Sequence, residues 1–240
     1  GDVGHTLVAG PTGMGKSVLL ATMAIQFRRY RGSRIFAFDM GRSIRAAILG
    51  MGGEHYDLGA DDEIAFQPLA RIDREGYRTW ASEWVEGRLL HEGAAVGPDE
   101  KAAIWSALGS LASAPVEQRT LTGLTALLQS NTLRQALAPY VLGGAHGRLL
   151  DADHDRLGTA DVQAFEMEEL MHSKAAVLAV LRYLFARFEE RLDGAPTLLI
   201  LDEAWLFLDD PVFAARIRQW LKTLRKKNVS VIFATQSLAD

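Results

Sequence analysis

Apolar residues recur along the chain in two alternating rhythms. Short runs rich in β-branched or aromatic residues, HTLVA (5–9), RIFAF (34–38), VQAFE (162–166), TLLIL (197–201) and VSVIFA (229–234), read as strands. Stretches with helical spacing separate them: Lys16 to Arg31, Ser43 to Met51, Ser173 to Leu192 and Pro211 to Lys227. Continuous apolar strands need cover on both faces, and intervening helices supply it, so the pattern predicts an α/β fold with a mostly parallel sheet. The middle obeys another rule. From Asp73 to about Leu142 no strand pattern occurs, while YRTWASEWVEGRLL and PDEKAAIWSALGSLA keep helical spacing. Pro98 followed by Asp99 and Glu100 suits a helix start, because Pro fits the first turn and carboxylates favour its positive dipole end. Pro115 and the Gly143–Gly144 pair punctuate the rest of this stretch. The expectation is an all-helical insertion over 74–145 in an α/β core built from 1–73 and 146–240.

Composition narrows the chemistry. With 48% hydrophobic and 23% charged residues, the 240-residue chain has the balance of a globular protein able to bury a sizeable core. Lys and Arg total 26 against 30 Asp and Glu, so any nucleic-acid contact has to be local, in a loop or a pore. The absence of cysteine excludes disulfides, thiolate metal sites and Cys nucleophiles. The most apolar stretch, TLLILDEAWLFL, carries Asp202 and Glu203 at its middle, so no transmembrane segment is expected. The chain has no signal peptide and no initiator Met, and it reads as an excised core truncated at both ends of a longer protein.

Gly10-Pro11-Thr12-Gly13-Met14-Gly15-Lys16-Ser17 matches the phosphate-loop pattern, with an apolar strand before it and VLLATMAIQF in helical spacing after it. Glycines at these positions let the chain curl so that backbone N–H groups surround phosphate oxygens, and the adjoining helix adds its N-terminal dipole. Lys16 is placed to reach the β- and γ-phosphates and the Ser17 hydroxyl to ligate Mg2+. The run Leu198 to Leu201 ends in Asp202-Glu203, and the end of a buried parallel strand is the ligand edge of such a sheet. Asp202 is therefore a candidate to hold Mg2+, and Glu203 to orient or deprotonate the attacking water. The last strand leads to Thr235 and Gln236. If that strand lies between the loop strand and the Asp202 strand, the Gln236 amide faces the γ-phosphate and can sense hydrolysis; otherwise it is a polar loop residue. These signals together describe an NTPase, with ATP the nucleotide expected.

GPTGMGKSVLL, FDMGRS, FQPLARID, WASEWVE, FEMEELM, LLILDEAWLFLDDP and WLKTLRKKNVSVIFATQSLAD together resemble the TrbE/VirB-type ATPases of type IV secretion and conjugation systems, the TrbE branch most closely. The resemblance runs along nearly the whole chain. It implies a RecA-like motor core using ATP and Mg2+, self-associated as a dimer or hexameric ring with each active site at a subunit interface. It also implies a cytoplasmic location peripheral to the bacterial inner membrane, other type IV secretion components as partners, and ATP hydrolysis driving pilus biogenesis and substrate transfer. It further implies that a neighbouring subunit supplies an arginine to the site. Arg225, eleven residues before Gln236, matches that position, although cations in Leu224-Arg225-Lys226-Lys227-Asn228 also suit a helix C-terminus. The family's amino-terminal domain, and sheet elements expected beyond Gln236, are not in this sequence.

Two other readings stay open at this stage. A DNA-translocating ATPase of the coupling-protein or FtsK-like kind shares the loop, the Asp-Glu pair and the Gln, and predicts salt-sensitive DNA contact. A nucleotide-binding structural module of the secretion platform needs Lys16 and Mg2+ ligands but no Glu203. ABC-type ATPases are set aside, because KAAVLAVLRYLFARFEERL occupies the place of their LSGGQ-like segment. Asp39 is read first as a cap for the next helix, and Glu166 as either a cap or a site-edge carboxylate. Trp80, Trp84 and Trp105 are read as core of the insertion. His5, His55, His91, His146, His154 and His172 show no ligand spacing, so no zinc site is expected from them.

Overall fold

A computed structural model of the chain describes residues 4–11, 13–60, 63–203 and 211–236. They divide into two compact units, one of residues 1–60, 158–169 and 188–240 and one of 61–157 and 170–187.

In the first unit, chain order runs through β1 (Thr6–Ala9), α1 (Lys16–Phe27), β2 (Arg34–Asp39), α2 (Arg45–Gly50) and β3 (Glu54–Asp57). The long helical segment Glu75–His91 (α3), Pro98–Leu111 (α4), Leu121–Leu127 (α5), Asn131–Leu137 (α6) and Gly147–Leu150 (α7) intervenes and belongs to the second unit. The chain then continues with β4 (Val162–Glu166), α8 (Lys174–Glu190), β5 (Thr197–Leu201), α9 (Pro211–Leu224) and β6 (Val229–Thr235). Among the described residues one sheet forms, with strand order β1-β6-β5-β2-β4-β3 and every pairing parallel.

The four inner strands are buried almost throughout, as continuous apolar runs require. Alternate residues face opposite layers. Ile35, Ala37, Val162, Ala164, Leu198, Ile200, Ile232 and Ala234 meet Leu20 and Ala24 of α1 and Ile44 and Ile48 at α2. Phe36 on the other face packs edge-on against Phe188, with ring centroids 4.8 Å apart, and Phe188 in turn reaches Trp220 of α9.

β3 has no counterpart in the predicted strands. Its sequence, EHYD, is polar, and it can be so because β3 is an edge strand, half-buried and paired with β4 alone. Two predicted helices are shorter than their patterns. α1 ends at Phe27, where a turn through Gly32 (φ 69°) leads into β2. α2 begins at Arg45 because Asp39 draws Ser43 and Ile44 into a turn.

The second unit is helical: residues 63–73 contribute Ile64, Phe66, Leu69 and Ile72 to its buried core, and most of α8 joins it. α4 starts at Pro98, with the Glu100 carboxylate accepting the Gly97 N–H at 2.9 Å. Thr120 and Ser130 accept backbone N–H groups at the starts of α5 and α6. Trp84 is fully buried and donates its indole N–H to the Ala179 carbonyl. Trp105 departs from the expected core placement: it is 40% exposed, with the Arg78 guanidinium 5.6 Å from its ring centroid. A Trp on the outward stripe of α4 keeps helical spacing without being buried.

Candidate nucleotide site

The phosphate loop leaves the C-terminal end of β1, where the Gly10 N–H bonds the Thr235 carbonyl of β6 at 3.2 Å. Gly13 and Gly15 have φ of 82° and 83°, the left-handed region in which a side chain is strained, so the curl depends on these two glycines. Pro11, Gly13, Met14 and Gly15 are exposed; Thr12 lies outside the described residues. Lys16 and Ser17 open α1, half-buried. Among the described residues no side-chain cap and no acidic residue occupies the first turn of α1. Lys16 lays its amine on the Gly10 carbonyl at 2.5 Å rather than on a carboxylate.

The strand order places β6 between β1 and β5, which is the condition on which the sequence-based expectation for Gln236 depends. Gln236, exposed just past β6, donates from Nε2 to Glu203 Oε1 at 2.7 Å. Glu203 and Asp202 are both buried. Glu203 takes φ 51°, a left-handed conformation unusual for a residue with a Cβ, and this turn comes immediately after β5. Its N–H bonds Asp202 Oδ1 at 3.1 Å. The structure therefore gathers the Gly10–Ser17 loop, Asp202, Glu203 and Gln236 at one sheet edge. Arg225 is elsewhere. It lies exposed in the turn that precedes β6, and the seven residues of β6 separate its end of the sheet from Gln236. At roughly 3.3 Å per residue that is over 20 Å of strand.

A row of carboxylates runs along the same edge. The Asp202 N–H bonds the Phe38 carbonyl at 2.9 Å, which sets Asp202 beside Asp39. Asp39 is register partner to Glu166, and Glu166 to Asp57. Asp202, Asp39 and Glu166 each stand two residues beyond a core residue of the α1 and α2 face, Ile200, Ala37 and Ala164, so alternation puts them on that face. Like charges on adjacent strands repel unless something compensates them. Burial, then the charges of Asp39 and Glu203, push the Asp202 carboxyl up to about 6, while the Glu203 N–H and Lys16 oppose the shift. Burial raises Asp39 as well, against the bonds it accepts from the Ser43 hydroxyl (2.5 Å) and the Ile44 N–H (3.0 Å). Glu166 is held by the backbone, accepting from the N–H groups of Gly41, Arg42 and Glu168. Asp39 thus caps the turn into α2, and it also stands beside Asp202; the signal for the second property was an acid closing the apolar run RIFAF, as Asp202 closes TLLIL.

The donor set fits a nucleotide with a divalent cation. An uncapped helix start and a glycine curl suit phosphate oxygens. Buried Asp202 and Glu203, with Lys16 the cation that opposes the Asp202 shift, leave negative charge for a cation to offset.

Fold and site define an α/β protein of the P-loop class. A solved structure of VirB4 from Thermoanaerobacter pseudethanolicus shares this fold at a TM-score of 0.74, with 20% identity over 97% of this chain and 70% of that one. No protein-family model matches the chain. Among curated proteins it is 46% identical over its full length to a probable conjugal transfer protein TrbE of Sinorhizobium fredii and to the conjugal transfer protein TrbE of Rhizobium radiobacter. It is 30% identical to the type IV secretion system protein VirB4 of Bartonella quintana. Over its whole length the chain is a segment of the TrbE/VirB4 family. It spans 37%, 30% and 31% of the lengths of those three relatives.

Proposed function

We propose that this chain is the ATP-hydrolysing core of a motor in a conjugal transfer or type IV secretion system, energising pilus biogenesis and substrate transfer. The observation that carries the proposal is the side-by-side order β1-β6-β5, which brings the phosphate loop, Gln236 and the Asp202-Glu203 pair to one edge, with Gln236 bonded to Glu203. In this reading the N–H groups of Gly13, Met14 and Gly15 and the Lys16 amine bind the ATP phosphates, while Ser17 and Asp202 hold Mg2+. The cation would offset charge on the phosphates. Glu203 accepts a proton from water, and Gln236 keeps its carboxylate oriented toward the loop strand. Arg225 does not reach the site of its own chain, which supports a role on a neighbouring subunit in a dimer or ring. Among the described residues no helix is long and apolar enough to cross a membrane. We place the motor in the cytoplasm, docked on inner-membrane secretion components, on its likeness to conjugal transfer and type IV secretion proteins.

The test is Mg-ATP hydrolysis by the parent protein, Lys16→Ala and Glu203→Gln, across protein concentration and with or without single-stranded DNA. We expect turnover that rises with concentration, ignores DNA and falls by about 10²–10⁴-fold in Glu203→Gln with ATP still bound. ATP binding without turnover at any concentration would make the chain a structural module. Stimulation by DNA would make it a DNA translocase.

A further inference from the structure

Away from the phosphate loop the carboxylate row continues, and its chemistry changes. Asp39, His55 and Glu166 each turn one donor atom toward a common point, the three atoms lying within 4.8 Å of one another. They come from the ends of β2 and β4 and the second residue of β3, three adjacent strands. Both carboxylates are oriented by hydrogen bonds that leave them room. Asp39 accepts on Oδ1 from Ser43 and on Oδ2 from Ile44; Glu166 accepts on Oε1 from Gly41 and Glu168 and on Oε2 from Arg42. An ionised carboxylate has about four acceptor positions, so each retains capacity. Outer hydrogen bonds of this kind are what hold metal-ligating carboxylates in place.

The second observation is an orphan. His55 Nε2 is buried without a hydrogen-bond partner among the described residues, and so is Oδ1 of neighbouring Asp57, whose other oxygen takes the Arg42 guanidinium at 2.7 Å. Buried polar atoms are nearly always satisfied, and an exception calls for an ion or a water. Two exceptions fall here in one short strand, beside two carboxylates that are almost wholly buried.

We propose that Asp39, His55 and Glu166 form a binding site for a divalent transition-metal ion, Zn2+ by preference, separate from the Mg2+ position expected at Ser17 and Asp202. One imidazole and two carboxylates, with a water as fourth ligand, is a tetrahedral zinc donor set, and the imidazole disfavours Mg2+. Bonds of about 2.0–2.2 Å put tetrahedral donors about 3.4 Å apart, so the cluster closes by roughly 1–1.5 Å on the ion. The ion's charge balances the two buried carboxylates and ties the turn through residues 40–44 to the sheet edge. Local spacing could not show this site, because its ligands are far apart in sequence and meet only through the pairing of β3 with β4 and β4 with β2.

The experiment titrates the chelator-treated chain, without nucleotide, with Zn2+ by calorimetry and with Co2+ by visible absorption. We expect one Zn2+ per chain and the visible bands of tetrahedral Co2+. Asp202→Asn keeps both, whereas His55→Ala and His55→Gln, checked for folding by circular dichroism, weaken Zn2+ at least tenfold and lose the bands. Equal binding by parent and a folded His55 variant overturns the proposal, as does loss of binding in Asp202→Asn or no Zn2+ bound by the parent. If neither His55 variant folds, the parent's Co2+ spectrum decides: tetrahedral bands support the site, and the weak spectrum of octahedral cobalt overturns it.

Discussion

Asp202 and Glu166 end neighbouring parts of one sheet edge, on one face, and both are buried. They are compensated by opposite means. Glu166 accepts three backbone N–H groups that are part of the fold, so it is oriented whenever the protein is folded. Asp202 receives one N–H, from Glu203, faces two further carboxylates, and is pushed up to about 6. A carboxylate held by fixed dipoles is oriented before any cation binds; one left short of positive charge depends on a cation that arrives from outside. The difference separates a carboxylate oriented in advance from one that awaits its counter-charge within a few strands.

The largest effect that can break this comparison comes from outside the row. If the charge at the Asp202 end is completed by a neighbouring subunit, Arg225→Ala retains ATP binding but lowers turnover by about 10³-fold or more. Mixing Arg225→Ala with Glu203→Gln subunits should then restore part of the activity, since one intact site can form between them. Turnover near that of the parent removes Arg225 from the mechanism.

Next in size is the structural end. Glu166→Ala leaves the N–H groups of Gly41, Arg42 and Glu168 without their acceptor. At about 1–3 kcal/mol for each buried donor left unpaired, a loss of about 3 kcal/mol or more in urea denaturation is expected. A loss under about 1 kcal/mol would mean that water replaces the carboxylate.

The smallest and most diagnostic effect is at Asp202. Its folded-state value of about 6 stands above the ordinary 3.8, so the folded protein holds the proton more tightly than the unfolded chain. This contribution is present at low pH and is lost as pH rises from about 4 to about 6. Asp202→Asn should therefore be more stable than the ligand-free parent at pH 7, with the gap opening across that window and constant above it. Denaturation curves from pH 4 to 8 check this. A parent already as stable as the variant at pH 7 would show that Asp202 is answered within the fold.

Much of this arrangement was legible in the chain. TLLIL and VQAFE are strands with the expected limits, because buried inner strands must be apolar throughout. The phosphate loop was legible because its glycines and Lys16 fall in one short run of the sequence. β3 was not, since an edge strand can be built from EHYD without breaking any burial rule. Nor does sequence order disclose that β6 inserts between β1 and β5, on which the Gln236–Glu203 contact depends. Trp105 repeated the helical spacing of Trp80 and Trp84 yet faces outward, because spacing fixes a stripe on a helix and not which stripe is covered.

Glu203 carries a consequence for anyone who would engineer this protein. Its left-handed backbone, φ 51°, costs a residue with a side chain on the order of 1 kcal/mol, and glycine escapes that cost. Selection for thermal tolerance alone would thus favour Glu203→Gly, a sturdier protein without its carboxylate. A screen for robustness would drift away from the very position on which, under the proposed mechanism, a screen for turnover would insist.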